Sequence, residues 1–379
     1  MRKGKQAGPG WLDSIPESDR MLLAGFFSGL ARRVVLAPDW AARLRGDFER
    51  AFQRYAAMGV GLNEGMRRLD PSRLGGFYAR PPTLWYPLDD AAKIYPMSMK
   101  RRQMAVFRLS ACMKEEVVPE LLQMALNFTV KRFPSFATTV KKGFFWHYLD
   151  AAKRRFTVEP ETGIPCSPLD VATSVSQSFR VLYHHKRISV EFFHVLTDGT
   201  GGMSFLKTLV AEYLRLLGVP VPCTDGVLDV NEAVPMAETA NDYPKAEPTG
   251  KASRESMNEM MNATVGMVRA LRHVPLFLKR LVAGLVFGFL GDRVFSNTLS
   301  NLGVVRVPAE MAAHVEEMDF ILGPAVTNRA ACGLLSFGNT AVLSVAKCTA
   351  DPAFEERLYD LLRADGLEPR MRGSELYGH

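Results

Sequence analysis

The stretch that most constrains the fold runs from Ile188 to Leu217. Ile188, Val190, Phe192 and His194 alternate with Ser189, Glu191 and Phe193, the period-two pattern of a strand. From Met203 the period changes, and Leu206, Leu209, Val210, Tyr213, Leu214 and Leu217 mark one face of a helix. A glycine-rich turn, Asp198-Gly199-Thr200-Gly201-Gly202, joins them. A strand, a tight turn and a long amphipathic helix in succession predict an α/β arrangement. His194 and Asp198 place two ionisable groups where a purely structural turn needs none.

The rest of the chain predicts a mixed sheet around that unit. Strands are expected over 104–113, with Phe107, Leu109, Ala111 and Met113 inward, and over 136–140, 144–149, 178–183 and 187–194. A helix is expected over 120–133, with Pro119 suited to an early helical position. Near the end, 329–337 and 340–348 flank Gly338-Asn339, a favourable hairpin turn. Asp351 and Pro352 then open a helix that runs to about residue 362, with Gly366 just beyond it.

This divides the chain into a helical N-terminal extension (1–80), a lobe carrying the histidine motif (81–218), a Pro-rich linker or long loop (219–255) and a C-terminal lobe (256–379). In the extension, Leu22, Leu23, Phe26, Phe27, Leu30 and Val34 recur at helical spacing, and a second helical pattern runs over 40–58. These predict two helices packed on the main body. A membrane-leaning or partner-binding arm, with Arg32 and Arg33 beside the apolar stripe, is the competing reading.

Composition narrows the function classes. Of 379 residues, 47% are hydrophobic and 23% charged, with a net charge of +7. The basic excess is spread over pairs such as Arg67-Arg68 and Arg101-Arg102, which fits solvated faces better than a nucleic-acid groove. Five scattered cysteines (112, 166, 223, 332, 348) lack metal-ligand spacing, so the expectation is free thiols, a reducing, cytoplasmic setting and no metal. The basic N-terminus has no apolar stretch of the signal-peptide kind. The most apolar run, 281–290, is about half the ~20 residues a membrane-spanning helix needs. There is no phosphate-binding Gly-x-x-x-x-Gly-Lys-Ser/Thr loop, no Gly-x-Ser-x-Gly elbow and no Gly-x-Gly-x-x-Gly fingerprint.

Chemically, a neutral imidazole can accept a proton from a hydroxyl or amine. Asp198 could pair with an arginine, hydrogen-bond the ring, or cap the helix. Gly199 permits positive φ or a close approach of backbone or ligand.

Three segments together resemble the chloramphenicol acetyltransferase-like superfamily of acyl-CoA-dependent acyltransferases, which includes alcohol acetyltransferases and condensation domains. They are His194-x-x-x-Asp198-Gly199, the Trp85-x-x-Leu88-Asp89-x-Ala91-Ala92-Lys93-Ile94-Tyr95-Pro96 segment, and Leu299-Ser300-Asn301-Leu302-Gly303. They occur in the family's order across about 84–370. The resemblance implies a mixed-sheet, two-lobed acyltransferase fold, acyl-CoA as cosubstrate with no permanently bound cofactor, and an alcohol acceptor. It implies His194 as general base, Asp198 holding the loop through an arginine, and Ser300 steadying the oxyanion, with Gly199, Gly202 and Asn301 at the substrate. One departure stands out: 219–297 lacks the family's Pro-Val-Asn-Leu-Arg-like strand. The second lobe is therefore expected to be reduced, and a homo-oligomer could complete it. The alternatives are a non-catalytic binding or interaction module on the same fold, and a membrane-surface protein built on the apolar stretches 21–36 and 275–290.

Overall fold

The computed structural model describes residues 11, 15–79, 85–89, 92–93, 95–98, 104–151, 156–169, 178–235, 270–279, 281, 297–323 and 330–373. The linker beyond residue 235 and the C-terminal lobe from 256 to 296 lie mostly outside them.

The chain is mixed α/β. Three helices open it, α1 (Glu17–Arg33), α2 (Pro38–Ala57) and α3 (Leu62–Arg68). There follow β1 (Trp85–Pro87), α4 (Tyr95–Ser98), β2 (Val106–Met113), α5 (Pro119–Thr129), β3 (Thr138–Lys142), β4 (His147–Ala151), β5 (Val158–Pro160), β6 (Phe179–His184), β7 (Arg187–Phe193) and α6 (Gly199–Leu217). Beyond residue 296 come β8 (Asn297–Val305), α7 (Ala309–Ala312), β9 (Val315–Leu322), β10 (Ala330–Phe337), β11 (Thr340–Ala346) and α8 (Ala353–Ala364).

A five-stranded sheet, in the order β5-β6-β7-β2-β9, forms the centre. Only β5 and β6 run parallel in it. Its apolar face carries Phe107 and Leu109 of β2, Val181 of β6, and Val190 and Phe192 of β7. Helices α5 and α6 cover that face, where Phe205 of α6 meets Phe192 edge-on with ring centres 5.9 Å apart. Helices α1 and α2 add a further layer to the same hydrophobic cluster. Phe48 lies against Phe128 of α5, Asn127 Nδ2 donates to Asp47 Oδ2 (3.0 Å), and Tyr55 Oη donates to the Leu216 carbonyl (2.7 Å). The inner face of α1 (Leu23, Phe27, Leu30) is buried there, as the packed-helix reading expects, while Leu22 remains exposed.

The opposite face meets a smaller cluster in which Phe193 and Val106 join Val140 and Leu149 of the antiparallel β1-β4-β3 sheet. The third sheet, β11-β10-β8, pairs β10 antiparallel to β11 and parallel to β8. The expected turn at Gly338-Asn339 joins β10 to β11, with Gly338 at φ +57°.

Some element boundaries differ from expectation for identifiable reasons. Phe136 is not in a strand: a 3₁₀ turn after Phe133 carries it into the core, where it stacks on Phe205 with centroids 4.9 Å apart. Phe144 and Phe145 form the tip of the β3–β4 hairpin rather than the start of β4. Helix α5 stops at Thr129 and tightens into 3₁₀ geometry before Pro134, consistent with the disfavoured α conformation near a proline. Helix α8 starts at Ala353, whose amide donates to Asp351 Oδ1 (3.0 Å). Helix α3 has no counterpart in the sequence reading.

Among the described residues, no helix is long and apolar enough to cross a membrane.

Candidate active site

His194 is the first residue beyond β7, and its amide still donates to the Ala105 carbonyl (2.8 Å), so the β2–β7 ladder fixes its backbone. Its ring lies between two aromatics. Tyr95 stacks on it with centroids 4.6 Å apart and planes 16° from parallel, and Phe107 meets it edge-on at 5.2 Å. Burial pushes the imidazole pKa below its ordinary value, opposed by a backbone hydrogen bond and the carboxylates of Asp198 and Asp89. The ring is therefore neutral at pH 7 and able to accept a proton.

Asp198 is the N-cap of α6. Its Oδ1 accepts from the Gly201 amide (2.8 Å) and its carbonyl accepts from the Gly202 amide (2.9 Å). No arginine pairs with it among the described residues; the arginines of the neighbouring strands are committed elsewhere. Of the roles left open by the sequence, the helix cap is the one present, and the loop-holding arginine implied by the resemblance is absent there.

The glycines of the turn are needed for space. Gly199 is not at positive φ. A β-carbon on it would sit 2.5 Å from Cδ2 of Leu302, and one on Gly202 would lie 3.1–3.2 Å from Phe192, Leu109 and Phe107. The start of α6 is thus seated directly on the central sheet on one side and on β8 on the other. Leu302 belongs to the Leu-Ser-Asn-Leu-Gly segment. Ser300 lies two residues earlier, opposite Gly333 of β10, and makes no hydrogen bond to His194 or Asp198 among the described residues. Asn301 Oδ1 accepts from the Gly303 amide (2.8 Å), steadying a bulge in which Gly303 adopts φ +71°.

Two neighbours of His194 escaped the sequence reading as site residues, Tyr95 and Asp89. Both sit in the Trp85–Pro96 segment, whose density of aromatics was visible although its packing on the histidine was not. Asp89 Oδ1 accepts from the Ala92 amide (2.6 Å) and so holds the turn that leads to Tyr95.

A buried ionic network beneath the site was also missed. Glu191 of β7 stands opposite Arg108 of β2 and Arg180 of β6. It accepts from Arg108 Nε (2.8 Å), Arg180 Nε (2.6 Å) and the Cys166 amide (2.7 Å). Arg108 also donates to Glu161 (2.6 Å). Burial opposes the Arg108 charge, but Glu191 and Glu161 outweigh it and raise its pKa. The network ties three strands together three residues before His194. Among the described residues, no group of three or more His, Cys, Asp or Glu side chains could hold a metal ion.

In comparisons with known proteins, no family model and no curated sequence matches the chain. In three dimensions it is similar to the starter condensation domain of rhizomide synthetase RzmA, at TM-score 0.39 and 10% identity, covering 74% of this chain and 95% of that one. A double mutant of that domain in complex with C8-CoA and Leu-SNAC gives TM-score 0.44 at 9% identity, covering 74% and 93%. The condensation domain of the Monacolin K polyketide synthase MokA gives 0.39 at 10%, covering 69% and 91%. At these scores the likeness assigns no residue and no activity to this chain.

Proposed function

We propose that the chain is an acyltransferase that moves an acyl group from acyl-CoA to an alcohol hydroxyl, with His194 as general base. The observation that supports this reading is convergence. Three segments far apart in sequence meet around the turn from His194 to Gly199: Tyr95 stacks on the histidine ring, and Leu302 of the Ser300 strand abuts Gly199. A neutral, aromatic-clamped imidazole at a strand end suits proton abstraction.

In this mechanism His194 takes the acceptor's hydroxyl proton as its oxygen attacks the thioester carbonyl. The new C–O bond forms and the carbonyl oxygen becomes an oxyanion, for which the Ser300 hydroxyl is the proposed donor. Collapse breaks the C–S bond, the imidazolium returns the proton to the thiolate, and ester and free CoA leave. No covalent acyl-enzyme is required. Asp198 acts on the turn rather than on the proton.

The experiment is thiol release from acetyl-CoA and longer acyl-CoAs over a panel of alcohols, with His194→Ala alongside. Acyl-CoA- and alcohol-dependent thiol release that His194→Ala abolishes supports the proposal. Release no greater than that of the variant refutes it and leaves the non-catalytic binding module as the reading of the fold.

A further inference from the structure

The tip of the β3–β4 hairpin and the short helical turn at 276–279 are far apart in sequence but form one surface feature. The Leu276 amide donates to the Phe144 carbonyl (2.8 Å), and Lys279 Nζ donates to the Phe145 carbonyl (2.8 Å) while lying 3.3 Å from the centre of the Trp146 ring. Lys279 is buried in this contact, so its cation–π and hydrogen bonds serve to lock the two segments together. Locking them leaves large apolar side chains facing water: Phe144 is 69% exposed, Phe277 68% and Leu281 66%, with Phe145 and Leu278 beside them. Single exposed apolar residues are ordinary, whereas several carried on two segments that are hydrogen-bonded to each other mark an interaction surface.

Charge identifies the partner. Residues 136–149 and 260–291 contain no aspartate or glutamate. Lys142, Arg272 and His273 are exposed on the same two segments, and Lys141 is half-buried. Protruding aromatic and aliphatic side chains on two segments that carry basic residues and no acidic ones complement a bilayer with anionic headgroups: the apolar groups enter the headgroup–acyl boundary and the cations meet lipid phosphates and carboxylates. In sequence, the apolar run 281–290 continues directly from the patch.

We infer that this patch docks the protein on an anionic membrane surface. Of the two apolar stretches suspected from the sequence, 275–290 supplies Phe277, Leu278 and Leu281 to this patch, whereas Leu23, Phe27 and Leu30 of α1 are buried in the core. The inference does not rest on the acyl-transfer reading, and His194→Ala should bind vesicles as the parent does.

The test is co-sedimentation of the full chain with vesicles of phosphatidylcholine containing 30 mol% phosphatidylserine, against vesicles of phosphatidylcholine alone. The expected result is binding to the anionic vesicles that weakens several-fold at high salt. Phe144→Ser with Phe277→Ser should weaken it by about tenfold or more, because two large apolar groups no longer enter the bilayer. Lys141→Glu with Lys142→Glu should weaken it independently, and it guards against misfolding of the first variant. Both pairs lie at or near the surface, so thermal unfolding should match the parent. No binding to anionic vesicles, or binding unchanged by both double variants, overturns the inference. So does light scattering that finds a dimer dissolved by Phe144→Ser and Phe277→Ser, which would assign the patch to a second copy of the chain.

Discussion

Replacing Glu191 should be among the most damaging single changes to this fold. Its carboxylate is fully buried, and so is the Arg108 guanidinium, which it meets at 2.8 Å through Nε and 2.7 Å through a terminal nitrogen. In Glu191→Ala, Arg108 keeps one carboxylate, Glu161, and the Cys166 amide loses its acceptor. Arg180 is partly exposed and retains Ser167, so it can recover hydration. Breaking a buried pair by removing one partner costs about 3–5 kcal/mol. That is a large fraction of the roughly 5–15 kcal/mol by which ordinary domains are stable. Glu191→Gln keeps the shape and an acceptor oxygen, so its cost should be nearer the ~1.5–3 kcal/mol of a charged hydrogen bond. Arg180→Ala leaves Glu191 paired with Arg108 and should cost less than Glu191→Ala. The assay is urea unfolding followed by far-UV circular dichroism and tryptophan fluorescence together, reading the midpoint at constant slope. If both Glu191 variants fall within about 1 kcal/mol of the parent, the network does not constrain β2, β6 and β7.

Further outcomes follow from the site. His194→Ala should lower turnover by about 10²–10⁴-fold in a thiol-release assay, with the unfolding midpoint little changed. Because burial lowers the His194 pKa, the acid limb of kcat/KM should have its midpoint below 6.5. The same depression means the unfolded state binds the proton first. The histidine's contribution to stability is neutral above 6.5 and turns unfavourable as pH falls toward the depressed value, a loss that His194→Ala should remove from the stability-versus-pH curve. Asp198→Ala should cost about 0.5–2 kcal/mol of stability by removing the cap on Gly201, whereas Asp198→Asn, which keeps an acceptor oxygen, should be close to neutral in urea unfolding. A larger loss in the asparagine variant would point to a charged partner. Gly199→Ala should displace Leu302 and depress turnover, and Leu302→Ala in the same chain should restore part of it, because the added methyl then has room.

The opening stretch shows why the sequence was legible in some places and opaque in others. Its period change from two to 3.6 is a local property, and β7 and α6 lie almost where it put them, with Gly218 closing α6 at φ +101°. The hairpin at Gly338-Asn339 was legible for the same reason. Burial on both faces was not. β2 buries Arg108 and Ser110 as completely as Phe107 and Leu109, so alternation separated its two faces without revealing that both are covered. Nothing local to Arg108 announces that Glu191 and Glu161 await it; that depends on strand order, a non-local property. Asp198 shows the complementary limit. Its type and spacing suited a cap, a ring partner and an arginine partner equally, and only the direction of the Gly201 amide separates them. Tyr95 extends the point to the site itself. An aromatic-rich segment about a hundred residues before the histidine reads as packing material until the sheet β1-β4-β3 lies on the β2–β7 ladder and brings that ring onto His194. Proton transfer needs a ring held at one orientation with its charge disfavoured, and both conditions are met by neighbours distant in sequence. The histidine can therefore be found by motif, while its fitness as a base depends on Tyr95, Phe107 and the buried ladder beneath it.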